Sequence, residues 1–122
     1  MTKILVIEDN KEIRENLAEF LGIHNYQVST AIDGAEGVSE VFQNTPDFII
    51  CDVSMPRKNG YEVFQEIKSF IHTNKIPFIF LTASAQEKDI ASGETSGAHA
   101  YVVKPYNSED LLRLIENILL KN

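Results

Sequence analysis

At 122 residues, with 43% hydrophobic and 24% charged side chains, the chain has the size and composition of one ordinary globular domain, so residues 1–122 are expected to form a single unit around one core. A formal charge of −7 disfavours direct nucleic-acid binding, which needs clustered Lys and Arg, and favours divalent cations or basic partner surfaces. No segment reaches the roughly 18 to 20 consecutive apolar residues of a membrane span, the polar start runs at once into a strand, and the lone Cys51 suits a reducing compartment, so a cytoplasmic protein without membrane contact is expected.

Lys3 to Ile7 is an apolar run that meets the acidic triplet Glu8-Asp9-Asn10, after which Ile13, Leu17, Phe20 and Leu21 recur at helical spacing. Gly22 and His24-Asn25 punctuate that helix, and Tyr26 to Ala31 alternates as a second strand. Asp33-Gly34 turns the chain into a shorter amphipathic helix with Ala35, Val38, Val41 and Phe42, closed by Asn44-Thr45-Pro46.

Phe48 to Cys51 is a short, β-branched apolar run, the pattern of a strand buried on both faces, and it stops at Asp52 before a loop holding Pro56 and Gly60. A third helix then puts Val63, Phe64, Ile67 and Ile71 on one face. Pro77 opens a fourth strand that ends at Thr82, and the polar stretch Ala83 to Ser96 predicts a weak, exposed helix. His99 to Val103 is the fifth strand, stopped by Lys104-Pro105. Ser108, Glu109 and Asp110 supply a cap and first-turn acids for a last helix that carries Leu111, Leu112, Ile115, Ile118 and Leu119 inward. Strands alternating with helices through short connections predict a doubly wound α/β sandwich around a parallel sheet.

In such a sheet, chemistry gathers outside the carboxyl ends of the strands. The first strand delivers Glu8 and Asp9 to that edge, the third Asp52, the fourth Thr82 and the fifth Lys104. Singly, Asp9 reads as a helix cap, Thr82 as a strand residue and Lys104 as a surface charge. Jointly, three acids and one lysine leave about two negative charges, which a low-dielectric cleft tolerates only with a divalent cation. Oxygen ligands without His or Cys point to Mg²⁺, with Mn²⁺ as the other candidate. An acidic loop with a metal, a lysine and a hydroxyl suits phosphoryl transfer onto a carboxylate, and Asp52, placed centrally, is the natural acceptor.

Four blocks in this order, Glu8-Asp9, Asp52 with Met55-Pro56 and Gly60, Thr82-Ala83, and Lys104-Pro105, together resemble the CheY-like receiver domain of two-component response regulators from Lys3 to about Leu120. The resemblance implies a five-stranded parallel sheet in the order 2-1-3-4-5. It implies a phosphoryl group accepted by Asp52 from a histidine kinase or histidine phosphotransfer protein. Asp9, Asp52 and the backbone carbonyl of Ser54 would bind Mg²⁺, with Glu8 acting through a water, while Thr82, Lys104 and the backbone of Ala83 would contact the phosphoryl group. It also implies a cis Lys104-Pro105 bond.

Tyr101 matches the family's aromatic switch position, so its ring is expected to respond to Thr82 and to reshape a partner-binding face of the fourth predicted helix, the fifth strand and the last helix. That face would meet a downstream protein or an output domain. Ser54 and Ser84 lack a carboxylate or amide to position an attacking water, which predicts a long-lived phosphoryl group. Lys58, where an apolar residue is frequent, and His99-Ala100, where acids are, bear on the partner and not on the chemistry. A flavodoxin-like flavin binder fits poorly because Glu8-Asp9 would repel a phosphate, and a haloacid-dehalogenase-type phosphatase would need an acid where Ser54 stands. The remaining alternative is a receiver-like interaction module that signals without phosphorylation.

Overall fold

The alternation of the sequence becomes a parallel sheet with two of the described helices on each face in the computed structural model, which describes residues 1–83 and 98–121. In chain order the described elements are β1 (Lys3–Ile7), α1 (Lys11–Ile23), β2 (Gln27–Ala31), α2 (Gly34–Gln43), β3 (Phe48–Asp52), α3 (Gly60–Lys68), β4 (Phe78–Thr82), β5 (Ala100–Val103) and α4 (Ser108–Lys121). The five strands lie in the order β2-β1-β3-β4-β5, all parallel, as the resemblance implies. The helix expected from Ala83 to Ser96 falls, past Ala83 itself, outside the described residues, and Ser84 falls outside with it.

Strand alternation divides the core in two. Leu5, Ile7, Ile49, Cys51, Phe78 and Phe80 face α2 and α3, where Val38, Val41, Val63, Phe64 and Ile67 meet them. Ile4, Val6, Phe48, Ile50, Ile79 and Leu81 face α1 and α4, against Leu17, Leu21, Leu111, Leu112, Ile115 and Ile118. Every residue of β3 and β4 is buried, which is why both strands read as unbroken apolar runs. At about 1.5 to 3 kcal/mol for each large side chain buried, these two layers hold the sheet edge in place.

Three local readings are corrected. α1 is capped by Asn10, whose Oδ1 accepts from the Ile13 amide at 3.0 Å, which sets aside the alternative reading of Asp9 as only a helix cap. The cap of α4 is Asn107, accepting from the Asp110 amide at 3.1 Å, one residue before Ser108. α3 stops at Lys68, so Ile71 never reaches the core face and stays 82% exposed. Ser69 closes that helix by donating its hydroxyl to the Glu66 carbonyl at 2.6 Å, and the chain turns away before the 3.6-residue repeat reaches Ile71. Phe42 is likewise largely exposed, with its ring edge-on to Phe70.

Candidate functional site

The order β2-β1-β3-β4-β5 reverses direction between β1 and β3, and the crevice at their carboxyl ends is where such a sheet takes a ligand. Ile7 pairs with Cys51 in register, so Glu8 and Asp9 leave β1 beside Asp52, the last residue of β3. Carboxylate oxygens of Glu8, Asp9 and Asp52 all lie within 4.8 Å of one another. Lys104 leaves β5 and reaches across: its Nζ donates to Glu8 Oε1 at 2.7 Å and pairs with Asp52 Oδ1 at 2.9 Å. The Lys104–Pro105 peptide is cis.

Backbone contacts fix the carriers of these groups. The Glu8 amide donates to the Ala31 carbonyl at 3.1 Å, Val53 to Leu81 at 2.9 Å and Lys104 to Thr82 at 2.8 Å. Gly60 closes the loop after Asp52 by donating to the Val53 carbonyl at 2.8 Å. A Cβ at Gly60 would stand 2.3 Å from the Asp52 carbonyl oxygen, so the close approach itself requires glycine.

Glu8 and Asp52 are buried whereas Asp9 is exposed, and the exposure divides their roles. Glu8 is held on both oxygens, by Lys104 and by the Asn10 amide at 3.1 Å. Because Asn10 takes the cap of α1, the Asp9 carboxylate has no hydrogen-bond or ion-pair partner among the described residues. Burial raises the Asp52 carboxyl to about 6, the negative charges of Glu8 and Asp9 add to the rise, and Lys104 opposes it. Burial alone would lower the Lys104 ammonium, but Glu8 and Asp52 outweigh it and hold it above its usual value. The buried Cys51 thiol is pushed well upward by burial and by Asp52 and Glu8, so it stays protonated and inert.

Thr82, fully buried at the end of β4, pairs in register with Val103, and Phe80 pairs with Tyr101. Thr82, Phe80 and Tyr101 therefore share the α2/α3 face of the sheet, and Tyr101 is half-buried with its ring stacked on Phe80 at 5.7 Å. Ser54 is exposed two residues past Asp52, and Ala83 is exposed just past Thr82. The fold thus gathers Glu8, Asp9, Asp52, Thr82 and Lys104 at one edge, with Ser54 and Ala83 on its loops.

Three participants escaped the sequence reading. Arg14 Nη1 donates to the carbonyls of Glu8 at 3.0 Å and Asp9 at 3.3 Å, shaping the acidic loop from the first turns of α1. Tyr106, whose hydroxyl burial and the Glu8 charge push upward, flanks Lys104. Arg57 grips Asp33 across the adjacent loop. Only an arginine spaced one helical turn past an acidic loop would have hinted at the first, and nothing local signals the other two.

The donor set fits a hard divalent cation: three carboxylates crowd one cleft, no sulfur or imidazole is among them, and Lys104 is their ion-pair partner among the described residues. Fold and site define a doubly wound α/β protein built around a buried aspartate at the switch point of its sheet. Comparison with known proteins makes this specific. The response regulator receiver domain profile matches residues 4–116, and the chain belongs to that family, a signalling domain whose role is to accept a phosphoryl group on an aspartate.

Among curated proteins, hybrid signal transduction histidine kinase D of Dictyostelium discoideum is 38% identical over 95% of this chain and 7% of its own length. Response regulator SaeR of Staphylococcus aureus is 35% identical over 99% of this chain and 52% of its own. The chain thus spans about half or less of these relatives. Chemotaxis response regulator CheY4 of Vibrio cholerae is similar in structure at a TM-score of 0.89 and 30% identity, covering 97% of this chain and 98% of that one. The response regulator TrrA of Thermotoga maritima, solved in complex with Mg²⁺-BeF, is similar at a TM-score of 0.86 and 32% identity, covering 96% and 98%. No described helix is long and apolar enough to cross a membrane.

Proposed function

We propose that residues 1–122 act as one receiver domain, in which Asp52 is the phosphoryl acceptor and a histidine kinase or histidine phosphotransfer protein is the donor. The observation that carries this reading is the Glu8, Asp9, Asp52 cluster, locked to Lys104 at the switch point of the sheet. With its carboxyl at about 6, Asp52 is mostly ionised near pH 7 and can act as the nucleophile. One Asp52 oxygen attacks phosphorus, the bond from phosphorus to the donor's leaving atom breaks, and an acyl phosphate forms. Lys104, already beside Oδ1, neutralises charge gathering on the phosphoryl oxygens, and the Thr82 hydroxyl and Ala83 amide donate to them.

Asp9, Asp52 and the Ser54 carbonyl would hold Mg²⁺, with Glu8 reached through a water. When bound, the ion cancels the repulsion between the carboxylate and the incoming phosphoryl group. The Mg²⁺-BeF complex of the TrrA relative supports magnesium and bears on no other ion. The domain promotes only its own phosphorylation and slow dephosphorylation. It works in the cytoplasm without binding nucleic acid directly, and it passes the signal to a protein partner or output domain through the face around β5 and α4.

The test is incubation with Mg²⁺ and acetyl phosphate, read by intact mass. One phosphoryl group should be added to the parent, and none to Asp52→Asn or in excess chelator. Undiminished addition in either control would remove the reading, and a parent that takes no phosphoryl group while still engaging a partner would favour the phosphorylation-independent module.

A further inference from the structure

The loop after Asp52 is fastened from outside the cluster. Arg57 Nε donates to Asp33 Oδ2 at 3.1 Å, and Nη2 pairs with the same oxygen. Asp33 is itself fixed: it is buried, and its other oxygen caps α2 by accepting from the Glu36 amide at 2.8 Å. The loop backbone rests directly on the start of that helix, since a Cβ at Gly34 would lie 2.3 Å from the Lys58 carbonyl oxygen. Lys58 is tied in turn to Glu66 of α3. Arg57 has φ 68°, the left-handed region that disfavours any residue with a Cβ, so the loop holds an unfavourable backbone conformation at the residue that makes the ion pair.

We propose that Arg57 is a positioning residue that, by gripping Asp33, holds the loop from Val53 to Asn59 in the shape that presents the Ser54 carbonyl beside Asp52, and so sets the affinity for Mg²⁺. The inference rests on the assignment of Ser54 as a metal ligand. A surface ion pair that only adds stability is the competing account, and the Arg57 side chain is 66% exposed. Against it stands the geometry: the two ends of the loop are anchored, the Val53 amide on the Leu81 carbonyl of β4 and Asn59 as the cap of α3, the Lys58 amide to Pro56 carbonyl bond is internal, and the Arg57 grip joins its tip to α2. The Glu36 amide and then Arg57 draw the Asp33 carboxyl below the usual carboxylate range, so the grip is closed throughout the neutral range.

The experiment measures phosphorylation by acetyl phosphate as a function of Mg²⁺ for the parent, Arg57→Gly, Arg57→Lys, Asp33→Asn and the Arg57→Gly, Asp33→Asn double variant. Glycine relaxes the backbone while removing the grip, and asparagine keeps the cap oxygen while removing the charge. The half-saturating Mg²⁺ concentration should rise about three- to tenfold in Arg57→Gly and Asp33→Asn, less in Arg57→Lys, and no further in the double variant. The rate at saturating Mg²⁺ should stay within about twofold of the parent, a split that lost stability alone would not produce. An unchanged half-saturation in Arg57→Gly, or a double variant showing the product of the two single losses, would overturn the proposal. A parent without Mg²⁺-dependent phosphorylation would overturn the reading of the site itself, and this inference with it.

Discussion

Asp52 is a carboxylate kept where water solvates it poorly, beside two other acids, and its proton affinity reports the cost. Its folded value of about 6 lies above the value of about 3.9 for an unfolded aspartate, so the folded state binds the proton more tightly. Proton binding by Asp52 therefore adds stability that is fully present below about pH 4 and lost as pH rises through 6. In chelator, Asp52→Asn should melt a few degrees above the parent at pH 8, with the gap narrowing below pH 6 and closing near pH 4. Added Mg²⁺ should raise the parent's melting temperature more than the variant's. A gap independent of pH, or a variant less stable at pH 8, would mean that burial and repulsion do not dominate at this residue. Neither the raised value nor the double grip of Lys104 was legible in the sequence, because both depend on which strand ends become neighbours.

At the scale of elements, the strand-to-loop junction after β3 is constrained on two sides. Gly60 is the first residue of α3, capped by the reciprocal Asn59 and Glu62 bonds, and it also abuts the Asp52 carbonyl. Gly60→Ala should cost roughly 2 to 4 kcal/mol in urea unfolding, since the obstructing atoms are backbone and cannot rotate aside. It should slow phosphorylation as well, and a variant matching the parent in both would show the close approach to be unimportant. The apolar runs of β1, β3 and β4 and the helical repeats of α1, α2 and α4 made the elements readable, because burial on two faces or one dictates those periods. Their ends were less readable. Asn107 and Ser108 are both competent caps in sequence, as are Asp9 and Asn10, and only the fold shows whose oxygen accepts from the amide three residues on.

For the whole molecule, the question is how an event at the sheet edge reaches a partner. Thr82, Phe80 and Tyr101 share one face of β4 and β5, and Tyr101 stacks on Phe80 two register positions from Thr82. A hydrogen bond from Thr82 to a phosphoryl group, at roughly 1.5 to 3 kcal/mol, shifts a two-state equilibrium about ten- to a hundredfold without a new fold. We expect beryllofluoride with Mg²⁺ to move the amide NMR signals of residues 98 to 106 in the parent. Thr82→Ala and Tyr101→Ala should each curtail that response, and if both variants shift as the parent does, the signal travels by another route. The gathering of Glu8, Asp9, Asp52, Thr82 and Lys104 was legible, since a parallel alternation brings the carboxyl ends of all strands to one edge, whereas the strand order was implied only by the family resemblance. The tie between Arg57 and Asp33 was not, because it links residues 24 positions apart through a left-handed turn that no local pattern announces.

Asp52 is the proposed carrier of the phosphoryl group, and its modification can be read at the residue itself. Treatment with acetyl phosphate and Mg²⁺, followed by borohydride reduction of the acyl phosphate to an alcohol and tandem mass spectrometry of the peptides, locates the acceptor directly. A reduced side chain is expected at position 52 alone and not without Mg²⁺, and a reduced residue at Asp9, Asp33 or any other carboxylate with Asp52 intact would overturn the assignment.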